Sequence, residues 1–159
     1  MQLREAHEVA IALQLIKSAD GIPAMIEMFK DQDLDTTVCA HIGIALGKIG
    51  AKQAIPDLVK GLDDKETAVS HSAAISLDLL ATREDKDIVN KLHRYAESAP
   101  DRGTKNFCLI ALGEIGDPKG KALLLQKLQK GQYADATFAA LALGVTLFVK
   151  FRTGQRCQN

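Results

Sequence analysis

The chain has no tryptophan, and its aromatic residues come to five Phe and two Tyr among 159 residues. A nucleic-acid face built from cations and stacking rings is therefore poorly supplied. The formal net charge of zero also removes the basic excess that phosphate binding normally requires. Cysteine is scarce too. Cys39, Cys108 and Cys157 show no CxxC spacing, which points to reduced thiols rather than a disulfide framework. No apolar run approaches the ~20 residues of a membrane span, so no membrane contact is expected. The opening Met1-Gln2-Leu3-Arg4-Glu5 mixes charges and lacks the apolar core of a signal peptide. A cytoplasmic setting is the expectation, although an excised fragment could have lost its targeting signal. There is no Gly-rich phosphate loop, no Ser/His/Asp arrangement and no paired-carboxylate pattern. Neither catalysis nor a cofactor is expected.

What is present is repetition. Ile11-Ala12-Leu13-Gln14, Ile44-Ala45-Leu46-Gly47, Ile75-Ser76-Leu77-Asp78, Ile110-Ala111-Leu112-Gly113 and Leu141-Ala142-Leu143-Gly144 return at spacings of 33, 31, 35 and 31 residues. A period of this length marks a solenoid in which each unit supplies one layer of a shared core. The expected division is a single domain over 1–150. It comprises a half unit at about 1–20 and full units at about 21–50, 51–82, 83–116 and 117–150, with a polar tail over 151–159.

Each unit reads as helix A, tight turn, helix B. Pro23 opens a helix to Lys30, since a proline in the first turn forfeits no helical hydrogen bond. Asp31 to Thr36 form the turn and offer N-caps, helix B runs from about Thr37 to Ile49, and Gly50 suits a left-handed C-cap. The next units follow the plan at Pro56–Leu62 and Ala68–Leu80, then Asp87–Glu97 and Thr104–Ile115 with Gly116 as cap. The last begins at Pro118, turns at Gly131-Gln132 and continues from Ala134. Residues 3–17 match helix B alone.

Ala45-Leu46-Gly47-Lys48-Ile49-Gly50 and Ala111-Leu112-Gly113-Glu114-Ile115-Gly116 resemble the end of HEAT-like repeats, and Ala54-Ile55-Pro56-Asp57-Leu58-Val59 with Leu62-Asp63-Asp64 resembles their first helix and turn. The resemblance spans roughly residues 3–149. It implies an all-α, right-handed α-solenoid of about four helix pairs plus an N-terminal half repeat. One departure is the start of helix B, where Val-Arg is common in the family. Here the pairs are Val38-Cys39 and Val69-Ser70, and only Lys105 supplies a cation in that column. The glycines inside helix B, Gly47, Gly113 and Gly144, cost about 1 kcal/mol each relative to alanine, so close approach of neighbouring backbone is expected there.

Val38, Ile42, Ala45, Leu46 and Ile49 share one side of their helix at ~100° per residue and form the core stripe. Ile44 falls nearly opposite. The family's helix B lines the concave side, so this opposite face should be polar. Instead its columns read Ile11, Ile44, Ile75, Ile110, Leu141; then Leu15, Lys48, Leu79, Glu114, Val145; then Glu8, His41, Ser72, Phe107, Phe138. Apolar strips of this kind tend to mark interaction sites. The candidate partner-binding residues are thus Ile11, Ile44, Ile75, Ile110, Leu141, His41, Lys48, Phe107, Glu114 and Phe138. Ordinary packing between B helices and self-association are the competing explanations of the row.

Other resemblances imply chemistry. His7-Glu8 is similar to the His-Glu pairs of HEAT-like deoxyhypusine hydroxylases, yet the aligned pairs Ala40-His41, His71-Ser72, Asn106-Phe107 and Thr137-Phe138 do not complete a ligand set, so no metal is expected. The general pattern is also similar to HEAT-like bilin lyases, which need a tetrapyrrole pocket. HEAT-like DNA glycosylases carry a basic, aromatic concave face, whereas here Lys119, Lys121, Lys127, Lys130, Lys150, Arg152 and Arg156 collect near the C-terminus and read as a solvated face. His93 reads as exposed, and Glu84-Asp85-Lys86-Asp87 as an inter-unit loop that caps the next helix. Residues 1–80 hold 7 Lys/Arg against 12 Asp/Glu, and 81–159 hold 13 against 8. With apolar, uncapped ends, this asymmetry suits head-to-tail self-association. The sequence points to a non-catalytic scaffold or adaptor for a protein or peptide partner, with a lyase-like or metal-dependent enzyme as the alternative and nucleic-acid binding behind both.

Overall fold

A computed structural model describes residues 21–152 of the chain. The expected helix over 3–17, and with it Ile11, Glu8 and His7, lies outside the described residues. Among the described residues there are eight α-helices and no strand. They fall into two compact units, Met1–Leu80 and Ala81–Asn159.

In unit 1 the helices are α1 (Gly21–Lys30), α2 (Thr36–Ile49), α3 (Ile55–Gly61) and α4 (Thr67–Leu80), with a short 3-10 turn at Lys52–Ala54 leading into α3. Local chemistry sets their ends. The Asp35 carboxylate accepts hydrogen bonds from the Thr37 and Val38 amides at 2.8 and 3.3 Å, satisfying donors that the first turn leaves free. Gly50 closes α2 with φ at 84°, a left-handed conformation that a Cβ would disfavour. The next amide, that of Ala51, reaches back to the Leu46 carbonyl at 3.0 Å, completing the glycine C-cap. Pro56 stands in the first turn of α3.

The apolar stripe of each helix meets the others in one core. Met25, Ile42, Leu46, Leu58, Leu62 and Leu77 are all fully buried, each contributing roughly 1.5–3 kcal/mol of transfer free energy. Of the expected core stripe of α2, Val38, Ile42, Ala45 and Leu46 are buried, while Ile49 is half-buried. The two B helices, α2 and α4, lie against one another along much of their length, whereas α1 and α3 touch only locally.

Unit 2 repeats the plan with α5 (Lys86–Ser98), α6 (Arg102–Ile115), α7 (Pro118–Lys130) and α8 (Tyr133–Arg152). Asp101 caps α6 through the Thr104 amide at 2.8 Å, and Asp117 caps α7 through the Gly120 amide at 3.0 Å. Gly116 ends α6 with φ at 70°. Here too the B helices, α6 and α8, make the most extensive contact. Leu92, Leu109, Leu112, Leu124, Ala139 and Ala142 form the core.

The helix α8 runs to Arg152. Two local expectations need correction. Asp85 occupies the N-cap position of α5 but makes no side-chain cap there; its carboxylate accepts instead from the Thr82 amide and hydroxyl, both at 2.8 Å. His93 is not an exposed residue. Its side chain is 19% exposed, and its Nε2 lies 3.2 Å from Oδ2 of Asp117, tying α5 to the start of α7.

Candidate interaction surface

The geometry of the B helices begins with two glycines one turn apart. Gly43 and Gly47 of α2 face Ser72 and Ser76 of α4. A Cβ built on Gly47 would stand 2.8 Å from the Cα of Ser76, and one on Gly43 would stand 2.7 Å from the Ser72 hydroxyl oxygen. At Gly47 the Ser76 backbone leaves no room for a side chain, while at Gly43 the Ser72 hydroxyl and the Phe29 ring would have to give way. The Ser76 hydroxyl lies 2.7 Å from the Gly43 carbonyl and 2.6 Å from the Ser72 carbonyl. Its single proton serves one of these acceptors at a time. Ser72 in turn donates to Val69 O at 2.8 Å. Both serines are buried, and this seam of small residues satisfies their polar groups.

Of the glycines expected to mark close approach, Gly47 does so and Gly144 does not: among the described residues no atom stands within 4 Å of a Cβ placed there. Gly43, which the recurring phrase did not single out, belongs to the seam as fully as Gly47.

The row of candidate residues flanks this seam rather than filling it. In unit 1, Ile44 and Ile75 are half-buried, as is His41, whose Nδ1 lies 2.7 Å from the Thr37 carbonyl. Lys48 is exposed, and Leu79, one turn beyond Ile75, is 50% exposed. Ser72, which shares the His41 column, is wholly taken up by the seam. In unit 2, Phe107, Ile110 and Glu114 of α6 and Phe138 of α8 are half-buried, and Leu141 is 52% exposed. Each unit therefore presents aliphatic or aromatic side chains, partly open to solvent, on its B helices. Val145 belongs to a stretch whose side chains are outside the described residues.

Reactive chemistry is not gathered on this surface. Burial, and secondarily the Asp101 carboxylate, pushes the Cys108 thiol up to about 12. Cys39 is also raised, first by burial and then by Asp31, Asp64 and Asp35. Both thiols are poor nucleophiles near neutral pH. Among the described residues no group of three or more His, Cys, Asp or Glu is placed to hold a metal ion. Likewise, no described helix is long and apolar enough to cross a membrane.

Paired antiparallel helices with capped turns and a close seam between successive B helices define an α-helical repeat protein of the solenoid class. The family model for HEAT repeats matches residues 4–78, a match that supports a HEAT-like repeat protein. No curated protein matches it. Repeats of this family commonly act as protein-interaction scaffolds.

Proposed function

We propose that the chain is a non-catalytic scaffold, cytoplasmic in setting, that binds a protein or peptide partner along its B helices. The observation that carries this reading is the partly exposed apolar row: Ile44, Ile75 and Leu79 in unit 1, and Phe107, Ile110, Phe138 and Leu141 in unit 2. Helix surfaces facing water usually turn polar side chains outward. Aliphatic residues held half out of a rigid helical layer offer contact area that needs little further ordering on binding. His41, Lys48 and Glu114 supply a polar border of the kind found around apolar interface centres. Ile11 extends the same column in the sequence.

Leu79→Asp with Leu141→Asp tests this reading, because both positions are about half exposed and tolerate a charge without loss of the core. Circular dichroism and the urea midpoint should match wild type, while a quantitative pull-down should lose the partners that wild type enriches. A folded double variant that retains every one of those partners would remove the B-helix surface from consideration. Self-association is a second reading, and light scattering across a concentration series tests it; a strict monomer rules it out.

A further inference from the structure

The turns joining helix A to helix B are acidic in unit 1, whereas in unit 2 cations collect on the helix ends beside them. In unit 1 the turns hold Asp31, Asp33 and Asp35, then Asp63, Asp64 and Glu66 beside Lys65. In unit 2 the start of α6 and the end of α7 bring Arg102, Lys105, Lys127 and Lys130 around a cleft of about 580 Å³, to which Gln126 and Gln132 add carboxamide groups. Lys119, Lys121 and Lys130 are exposed, and the fold places Lys127 and Lys130 beside Arg102 and Lys105.

This cluster is largely uncompensated. Lys127 Nζ is 3.9 Å from Asp135 Oδ2, a long ion pair. Among the described residues, no carboxylate pairs with Arg102, Lys105 or Lys130, and Lys105 is half-buried. Helix stability explains only part of the arrangement. Lys127 and Lys130 stand in the last turn of α7, where cations complement the helix dipole, but Arg102 and Lys105 stand at the start of α6, where the dipole disfavours them. Asp135 also lines the cleft, so its charged lining is four cations against one carboxylate, and a cleft with such an excess of one sign attracts anions. Three cations converging on one space, one of them a guanidinium fork, suit a centre bearing about two negative charges and three acceptor oxygens.

We propose that this cleft recognises a phosphorylated side chain displayed on an extended segment of a partner protein. The proposal rests on the scaffold reading but uses a different surface from the apolar row. Arg102 supplies paired N–H donors to two phosphate oxygens, and Lys105 and Lys130 supply charge from the facing walls. Gln126 and Gln132 are placed to bond the peptide groups on either side.

The test is fluorescence anisotropy with a short phosphoserine peptide, its unphosphorylated form and its glutamate counterpart, using the full chain. The phosphopeptide should bind at least about tenfold tighter than the unphosphorylated form. Arg102→Glu with Lys130→Glu, both at exposed positions, should remove about tenfold or more of its affinity, as reversing charges in a charge-complementary site does. Leu79→Asp with Leu141→Asp should leave phosphopeptide binding unchanged, so a failure of the cleft and a failure of the apolar row give different results. Equal binding of the phosphorylated and unphosphorylated peptides overturns the proposal, as does a phosphate preference that survives the charge reversal. Competition by inorganic phosphate as effective as that by the phosphopeptide assigns the cleft to a free anion, and displacement by a single-stranded oligonucleotide at equal concentration assigns it to nucleic acid; either result also overturns it.

Discussion

Replacing Gly47 by alanine should destabilise the protein, although alanine is the better helix former. In an exposed helix the change would gain about 1 kcal/mol, because glycine has more backbone freedom to lose on folding. At Gly47 the added methyl meets the Ser76 Cα at 2.8 Å and the Ser76 Cβ at 3.0 Å. Backbone atoms cannot rotate away, so α2 and α4 must separate, and Ser76 then lengthens its hydrogen bond to the Gly43 carbonyl. Overpacking of this kind costs about 1–3 kcal/mol, leaving a net loss of about 0–2 kcal/mol after the propensity gain. Gly144→Ala is the internal control. It places the same methyl in the same repeat position with no atom of the described residues within 4 Å, so only the propensity gain of about 1 kcal/mol remains. Urea denaturation followed by circular dichroism should move the two midpoints in opposite directions. Near the thermal midpoint, a difference of 1 kcal/mol amounts to about 4–8 °C for a unit of this size. If Gly47→Ala stabilises the chain as much as Gly144→Ala does, the glycine seam does not set the spacing of the B helices.

Three further outcomes follow from buried polar groups and thiols. Burial pushes the Asp117 carboxyl up, but the Gly120 amide, the His93 hydrogen bond and charge, and the Lys119 amide together hold it below the ordinary aspartate value. Its charge therefore stabilises the fold fully above the unfolded-state aspartate pKa, and this contribution disappears as pH falls through the lower folded value. Asp117→Asn keeps a capping side chain and should flatten the acid limb of a stability-versus-pH curve, whereas Asp117→Ala also loses the cap, at about 1 kcal/mol; an acid limb in Asp117→Asn identical to wild type contradicts the assignment. Asn106 is 4% exposed, and its Oδ1 accepts no hydrogen bond. Asn106→Leu, similar in volume, should thus be neutral or stabilising, and a large drop in the urea midpoint would refute this. In a Cys157→Ser background, Cys39 and Cys108, both buried, should resist a thiol reagent until the chain is denatured. Rapid labelling of the folded protein at pH 8 would show that one of them is accessible.

The elements that local chemistry decides were legible in the sequence. Pro56 and Pro118 open helices, Asp35 and Asp101 cap them, and Gly50 and Gly116 end them in the left-handed conformation, because each effect acts within four or five residues. Features that depend on distance between helices were not legible. Ser76 bonds to a carbonyl 33 residues earlier, and His93 meets a carboxylate 24 residues later. Nothing in the residue types distinguishes Gly43 and Gly47, which sit in a seam, from Gly144, which faces open space. The charges behave likewise. Lys127 and Lys130 look solvated when read along α7, and only the return of the chain places them opposite Arg102 and Lys105. Helical periodicity identified the face bearing Ile44 and Ile75, but the extent to which a neighbouring helix covers that face depends on how closely the helices approach.

That dependence links the seam to the candidate surface in unit 1. Gly43 and Gly47 let α2 and α4 approach until Ile44 and Ile75, on the flanks of the seam, lose part of their exposure. Spreading the two helices should therefore uncover both half-buried isoleucines before the core is breached, since the core residues Leu46 and Leu77 are fully buried. Gly43→Ala is the milder way to do this. Its methyl meets the Ser72 hydroxyl at 2.7 Å and the Phe29 ring at 2.9 Å, both side-chain atoms that can move, rather than the backbone met at Gly47. The expected series is wild type, Gly43→Ala, Gly47→Ala in order of rising binding of an apolar dye such as ANS, with far-ultraviolet circular dichroism unchanged. Dye binding that rises only together with loss of helicity would mean that the row is uncovered by unfolding, and that the seam does not govern its exposure.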